Sequence, residues 1–329
     1  MAFVKADRTA TFVRMALTGP TNSGKTASAI RIAQGIVRKN LIKTGIKKPT
    51  QEQIDEKIAI VDTERGRAKF YANRNEGDFK TGHFFHANLT PPYTVRKYIE
   101  LVEEAAKLVG EDGVVIIDSL SHAWAYAGGL LEVKTEMETK RGVNSFTAWN
   151  EAGKMQNDMV DRILSANVHL IATLRSKMNY VMEVNQETGK TEIRQIGLKP
   201  VQRDDLEYEF DVTLMLDKET HNATIIKDTT FLTTKKLPDG TVGMLTEKFG
   251  EEIIAWLEEG VDPHEVAEEE RVSNIETIQR MCKANPDLAM HYKKKLFPDK
   301  KSRDLDLNET RKALNELYKI QNLYDNEEA

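Results

Sequence analysis

Gly19, Gly24, Lys25 and Thr26 fall into the pattern Gly-x-x-x-x-Gly-Lys-Thr, spelled GPTNSGKT. Pro20, Thr21, Asn22 and Ser23 fill the gap, and Ala27 follows. This spacing suits a polyphosphate. Glycines let successive backbone N–H groups turn towards one anion. A helix opening at the end of the loop adds the positive end of its dipole. Lys25 is then expected to reach the β- and γ-phosphates of ATP, and Thr26 to set its hydroxyl on Mg2+. The stretch follows an apolar run, FVRMAL, and opens GKTASAIRIAQGIVRKN, whose apolar spacing is helical. Strand, loop, helix is the context this motif requires.

Holding a phosphate cleaves nothing, so further groups are needed. In GVVIIDSLSHAW, Asp118 ends an apolar strand. At the C-terminal edge of a parallel sheet its carboxylate emerges beside the loop and completes a Mg2+ site. The other reading of Asp118 is a helix N-cap. Attack by water needs a base or a positioning group. Ser119, not a carboxylate, follows Asp118, so the base must come from another strand. Glu64, just past the apolar run KIAIVDTE, stands at the same edge and is the expected catalytic base. Asp62 is the weaker alternative, and a surface ion pair with Arg65 or Arg67 is the non-catalytic reading of Glu64.

These groups need a sheet to align them. Near-continuous β-branched runs at 12–19, 57–64, 113–120 and 168–175 read as strands covered on both faces. Helical patterns alternate with them, so the fold class is α/β, a mainly parallel central sheet flanked by helices. One helix, within TPPYTVRKYIELVEEAAKLVG, is expected to be capped at Thr90 and to stop at Gly110. The runs FDVTLMLD and NATIIKD read as an antiparallel continuation, with a turn at 238–240. Residues 1–260 form the expected main domain, with 39–57 as a polar surface insertion. Residues 127–150 and 176–202 break the alternation and read as long loops. Residues 261–272 read as a charged linker, 273–323 as a small helical module with a cap at Asn308, and 324–329 as a disordered tail.

Composition narrows the function classes. The 329 residues carry a net charge of −5, which argues against coating nucleic acid with the whole surface but leaves room for a local basic channel. The single cysteine, Cys282, permits no intramolecular disulfide and fits a reducing, cytoplasmic setting. No stretch approaches the roughly 18 apolar residues of a membrane span, and no signal peptide is expected. His122, His169 and His221 are scattered without metal-ligand spacing.

Taken together, GPTNSGKT, VDTERGRAKFYA, VVIIDSLSHAW, HLIATLRSKMNYV, VQRDDLEYEFDVTLMLD and ATIIKDTT resemble the RecA-like branch of P-loop ATPases. Within it, they resemble the phage-encoded nucleotide-binding ATPases of the AAA family that are encoded beside single-strand annealing and replication genes. The resemblance spans 14–230. It implies that Thr173, or Arg175, reads the γ-phosphate. It implies that Lys227 reaches a neighbour's nucleotide across the interface of a homo-oligomer, ring or filament. Asp228, Thr229 and Thr230 follow where relatives often carry an arginine, so Lys227 would act alone; a plain strand-end lysine is its other reading.

The resemblance also equates 127–150 and 176–202 with loops that hold single-stranded DNA. The first carries Lys134, Lys140, Arg141, Phe146 and Trp149; the second carries Lys177, Tyr180, Lys190, Arg194 and Lys199, flanked by Arg175 and Arg203. Interspersed glutamates dilute both, and the second also reads as a β-hairpin. The implied function is ATP hydrolysis in phage DNA recombination or replication, in the host cytoplasm, with phage replication or recombination proteins as partners. The alternative is a nucleotide-gated adaptor that recruits partners through its C-terminal helices, where HYKKKLFPDKKSR is the most basic stretch, and hydrolyses little.

Overall fold

The computed structural model describes residues 11–140, 142–184, 191–233, 241–260 and 263–327, with backbone alone for 179–184, 191–196, 263–266 and 322–327. Arg141, Lys190 and the turn expected at 238–240 lie outside the described residues, as do the side chains of Tyr180 and Arg194. Residues 12–256 form one compact unit, and 257–329 belong to another.

In the larger unit, β1 (Arg14–Gly19) feeds the glycine-rich loop and then α1 (Lys25–Lys43). A short α2 (Gln51–Asp55) leads to β2 (Ile58–Asp62), a small hairpin of β3 (Asn75–Glu76) and β4 (Phe79–Lys80), and the edge strand β5 (Phe85–Asn88). Next come α3 (Val95–Val109), β6 (Val114–Asp118), α4 (His122–Ala125), α5 (Leu130–Glu138) and α6 (Ser145–Leu164). The long β7 (His169–Val184) and β8 (Thr191–Pro200) follow, then β9 (Val212–Leu216), β10 (Asn222–Asp228), β11 (Thr241–Met244) and α7 (Glu247–Glu258).

The sheet runs β11-β10-β9-β1-β7-β6-β2-β5, with β8 paired only to β7. From β9 to β5 every pairing is parallel, as a RecA-like core demands. Every residue of β2 and β6 is buried, because helices cover both faces. FDVTLMLD differs from the antiparallel expectation: its β9 is parallel to β1, and antiparallel pairing starts only between β9 and β10.

Several segments are more ordered than their polarity suggests. The expected insertion at 39–57 is mostly structural: α1 continues to Lys43, and Thr50 and Gln53 form a capping box that starts α2. Asn40, Leu41, Ile54 and Asp55 are buried there. The cap of α3 is Thr94, not Thr90, while its end at Gly110 is as expected. Residues 127–150 hold α5 and the first turn of α6, capped by Asn144, rather than a loop. Residues 176–202 form the β7–β8 hairpin.

The second unit contains α8 (Pro263–Ala284), α9 (Pro286–His291) and α10 (Leu307–Glu327) around Ile278, Met281, Leu288, Leu305 and Leu317. From residue 263 the expected linker is helix, and α10 reaches residue 327, within the expected tail. Asp306, not Asn308, caps α10, exchanging hydrogen bonds with Glu309 in a full capping box.

Two close contacts fix α1, and with it the loop it follows. A Cβ on Gly35 would lie 1.8 Å from the Glu247 carbonyl oxygen, and one on Gly250 would lie 2.1 Å from that of Ile32. Only glycines let α1 and α7 meet backbone to backbone. His169, 5% exposed, accepts from the Val13 N–H at 3.2 Å. Burial pushes its pKa down to about 3. The unfolded chain takes up this proton near pH 6.5 and the folded chain does not, so stability falls as pH drops from about 6.5 towards 3. Urea unfolding should show a loss of roughly 2 kcal/mol from this group between pH 6.5 and pH 5, and His169→Gln should flatten that slope.

Candidate active site

β1 ends at Gly19, where a Cβ would press to 2.7 Å from the Leu216 carbonyl oxygen. The chain turns through Pro20, Thr21, Asn22 and Ser23, the Ser23 N–H donating to Pro20 O at 3.3 Å. Gly24 takes a left-handed φ of 84°, which favours glycine, and starts α1. Lys25, Thr26 and the half-buried Ala27 make its first turn. Lys25 Nζ donates back into the loop, to Gly19 O at 2.9 Å and Pro20 O at 2.7 Å. Burial lowers its pKa, while Asp118 and Glu64 oppose that shift. The ammonium is thus held over the loop by carbonyl oxygens, weak partners that a phosphate outcompetes.

Asp118, at the end of β6, is 3% exposed. Thr26 Oγ1 donates to its Oδ2 at 2.6 Å, and Thr173 Oγ1, from β7, donates to its Oδ1 at 2.5 Å. Burial raises its pKa; the two hydroxyls pull it back. The carboxylate caps no helix, which settles the two readings of its local role. A hydroxyl that gives its proton to Asp118 keeps its lone pairs. Thr26 and Asp118 therefore present hard oxygen donors at one point, the set Mg2+ prefers.

Glu64 lies just past β2, beside this point. Its partner is neither Arg65 nor Arg67 but Arg175, which follows Leu174 on β7. Arg175 Nε donates to Glu64 Oε1 at 2.7 Å, and Nη2 donates to Oε2. Arg175 Nη1 donates to the Tyr126 hydroxyl at 2.6 Å, and the guanidinium stands over that ring. Burial works against its charge, but Glu64 outweighs burial and holds it above the usual arginine value. Asp62, the weaker candidate base, is occupied elsewhere. It accepts from the Glu64 N–H at 2.6 Å and the Ala68 N–H at 2.9 Å, and its Oδ2 meets His86 Nε2 at 3.0 Å. Asp62 builds the turn that presents Glu64.

These groups face one cleft of about 310 Å3. Arg67, Tyr71 and His221 also line it, and nothing in their local sequence picks them out. Arg67 is exposed and has no ion-pair partner among the described residues. His221 sits in the β9–β10 turn, its Nδ1 buried and unpartnered, 3.5 Å from where a Cβ on Gly24 would be. Only the pairing of β9 with β1 brings it there.

A sequence profile described as an AAA domain, AAA_24, matches residues 11–238. The chain belongs to this family. The AAA domain is thus a P-loop ATPase domain, and its sheet has the RecA-like class of architecture. No curated protein matches the chain. Among solved structures it is similar to a KaiC-like protein from Pyrococcus horikoshii OT3, at 13% identity and a TM-score of 0.32 over 71% of this chain and 84% of that one. It is also similar to a second solved ATPase domain, at 13% identity and a TM-score of 0.27 over 78% of this chain and 86% of that one.

The AAA domain does not bring every expected residue into the cleft. Lys227, on β10, donates from Nζ to Tyr208 O at 2.5 Å and does not line the cleft. Arg203 donates to Asn157 Oδ1 at 2.8 Å. Among the described residues, no helix is long and apolar enough to cross a membrane. Asp118→Asn keeps an oxygen for one threonine, so the fold should survive while a charged metal ligand is lost. Titration with a fluorescent ATP analogue should show affinity in Mg2+ reduced at least about 10-fold, with metal-free affinity nearly unchanged.

Proposed function

We propose that this AAA-domain protein hydrolyses ATP with Mg2+, as a homo-oligomer acting on single-stranded DNA in phage recombination or replication. The observation that carries the reading is the Glu64–Arg175 pair at the edge of the phosphate-loop cleft. Backbone N–H groups of the loop and Lys25 hold the β- and γ-phosphates. Thr26 and Asp118 hold Mg2+, which supplies neutralisation of charge on the phosphate oxygens. Glu64 takes a proton from water as the water oxygen bonds to the γ-phosphorus and the bond to ADP breaks, leaving ADP and phosphate. Glu64 serves as base only when Arg175 releases it. A γ-phosphate competes for that guanidinium, as expected of a residue that reads the phosphate; Thr173 acts through Asp118.

Arg175 also supports a link to DNA. β7 carries Thr173 and Arg175 and runs on without a break into the β7–β8 hairpin, whose paired residues extend from Ser176 to Val184. At about 3.3 Å per residue that arm reaches roughly 30 Å. Lys177 and Lys199 sit on paired positions at its base. The exposed Phe146 and Trp149 supply stacking faces at the start of α6. Lys227, remote from its own cleft, is free to serve a neighbour's. The pairing of Glu64 also favours slow basal turnover, which is what the adaptor reading requires. Glu64→Gln should bind ATP normally and turn over about 10^2- to 10^4-fold more slowly. Single-stranded DNA should stimulate the wild-type rate; survival of turnover in Glu64→Gln removes Glu64 as base, and absence of both DNA binding and stimulation at low salt favours the adaptor.

A further inference from the structure

On the other side of Arg203, the middle of α6 faces the 202–209 turn and encloses two cavities outside the ATP cleft, of about 400 and 270 Å3. Trp124 and Trp149 form one wall of the larger. Their rings are stacked, 6.1 Å apart at 28°, and Trp149 is 42% exposed. Gln156 lies in the wall of both cavities. It is 1% exposed, yet neither its amide oxygen nor its amide nitrogen has a hydrogen-bond partner. Buried amides are nearly always satisfied, so one left with both atoms unmatched points to a group this chain does not supply.

Gly153 makes the same point from a different direction. It stands inside the 20-residue α6, where glycine is unfavourable relative to alanine. A Cβ there would meet nothing within 4 Å, and the residue lines the larger cavity. No neighbour within the fold requires the glycine.

Charge decides what the site takes. Asp161, Asp204, Asp205 and Glu209 surround the smaller cavity, against the single cation Arg203. Asp204 is paired with Lys199 at 2.5 Å, and Arg203 donates to Asn157. Among the described residues the carboxylates of Asp161, Asp205 and Glu209 have no partner. A phosphodiester would meet this negative wall at a cost. A guanidinium meets it favourably: its flat face stacks on tryptophan, and its five N–H groups suit carboxylates and an amide oxygen. The existing contact of Lys134 Nζ, 5.2 Å over the Trp149 ring, shows that this aromatic face already attracts a cation. Glutamine has three side-chain torsions, so its amide can turn into either cavity without backbone movement.

We infer that this aromatic and acidic pocket binds an arginine side chain presented by a partner protein. The pocket is separate from the ATP cleft, and the inference stands whether or not the protein acts on DNA.

Tryptophan fluorescence tests it on the full chain without nucleotide, since Trp124 and Trp149 are two of the three tryptophans. Hexa-arginine should perturb the emission at a Kd about 10-fold below that of hexalysine, a peptide of equal charge. Asp205→Asn with Glu209→Gln should weaken hexa-arginine about 10-fold or more. Gly153→Ala should block binding while raising the thermal midpoint, because the helix gains and only the ligand loses space. Equal affinity for the two peptides overturns the inference. So does full binding by Gly153→Ala, or a response of the same tryptophans to oligo-dT in place of hexa-arginine.

Discussion

The site depends on one buried carboxylate. Asp118 is almost fully removed from water, and burial alone would push it towards the neutral acid. Two threonine hydroxyls, from different elements, oppose that shift. For both to reach it, β6 must run parallel beside β7, β7 beside β1, and α1 must begin directly beyond the end of β1. The sheet order is therefore tied to the chemistry. A divalent cation drawn to the same oxygens stabilises the charged form further, so cation binding and ionisation of Asp118 reinforce one another.

Around that point β7 acts as a shared beam. Thr173 holds the metal-side carboxylate, and Arg175, two residues on, grips Glu64 on β2. Their side chains engage different carboxylates because the end of the strand carries Arg175 beyond the sheet edge. The same strand continues into a hairpin, so a change in the arginine's partner is felt at the base of a long arm. Asp62 keeps the Glu64 turn in place while Arg175 moves, since it binds backbone N–H groups rather than side chains.

Much of this was legible in the residues because it is local. The phosphate loop is a contiguous pattern, and Asp118 and Glu64 each close an apolar run whose direction is set by the parallel sheet. What was not legible depends on contacts between distant segments. Arg175 lies 111 residues from Glu64, so nearby Arg65 and Arg67 looked like better partners. His221 enters the cleft only because β9 pairs with β1. The polar stretch at 39–57 hid a capped helix and buried residues, because lysines on one face masked the apolar side. The glutamate-rich 127–150 resembled a loop because neither the α5 pattern nor the Asn144 cap was read there.

The most direct measurement is the structure of the protein with Mg2+, ADP and a metal-fluoride mimic of the transferred phosphoryl group. The account predicts that Arg175 leaves Glu64 for the mimic, and that the freed carboxylate lies within about 3 Å of the attacking water. An intact Glu64–Arg175 pair, with another side chain holding that water, would contradict it.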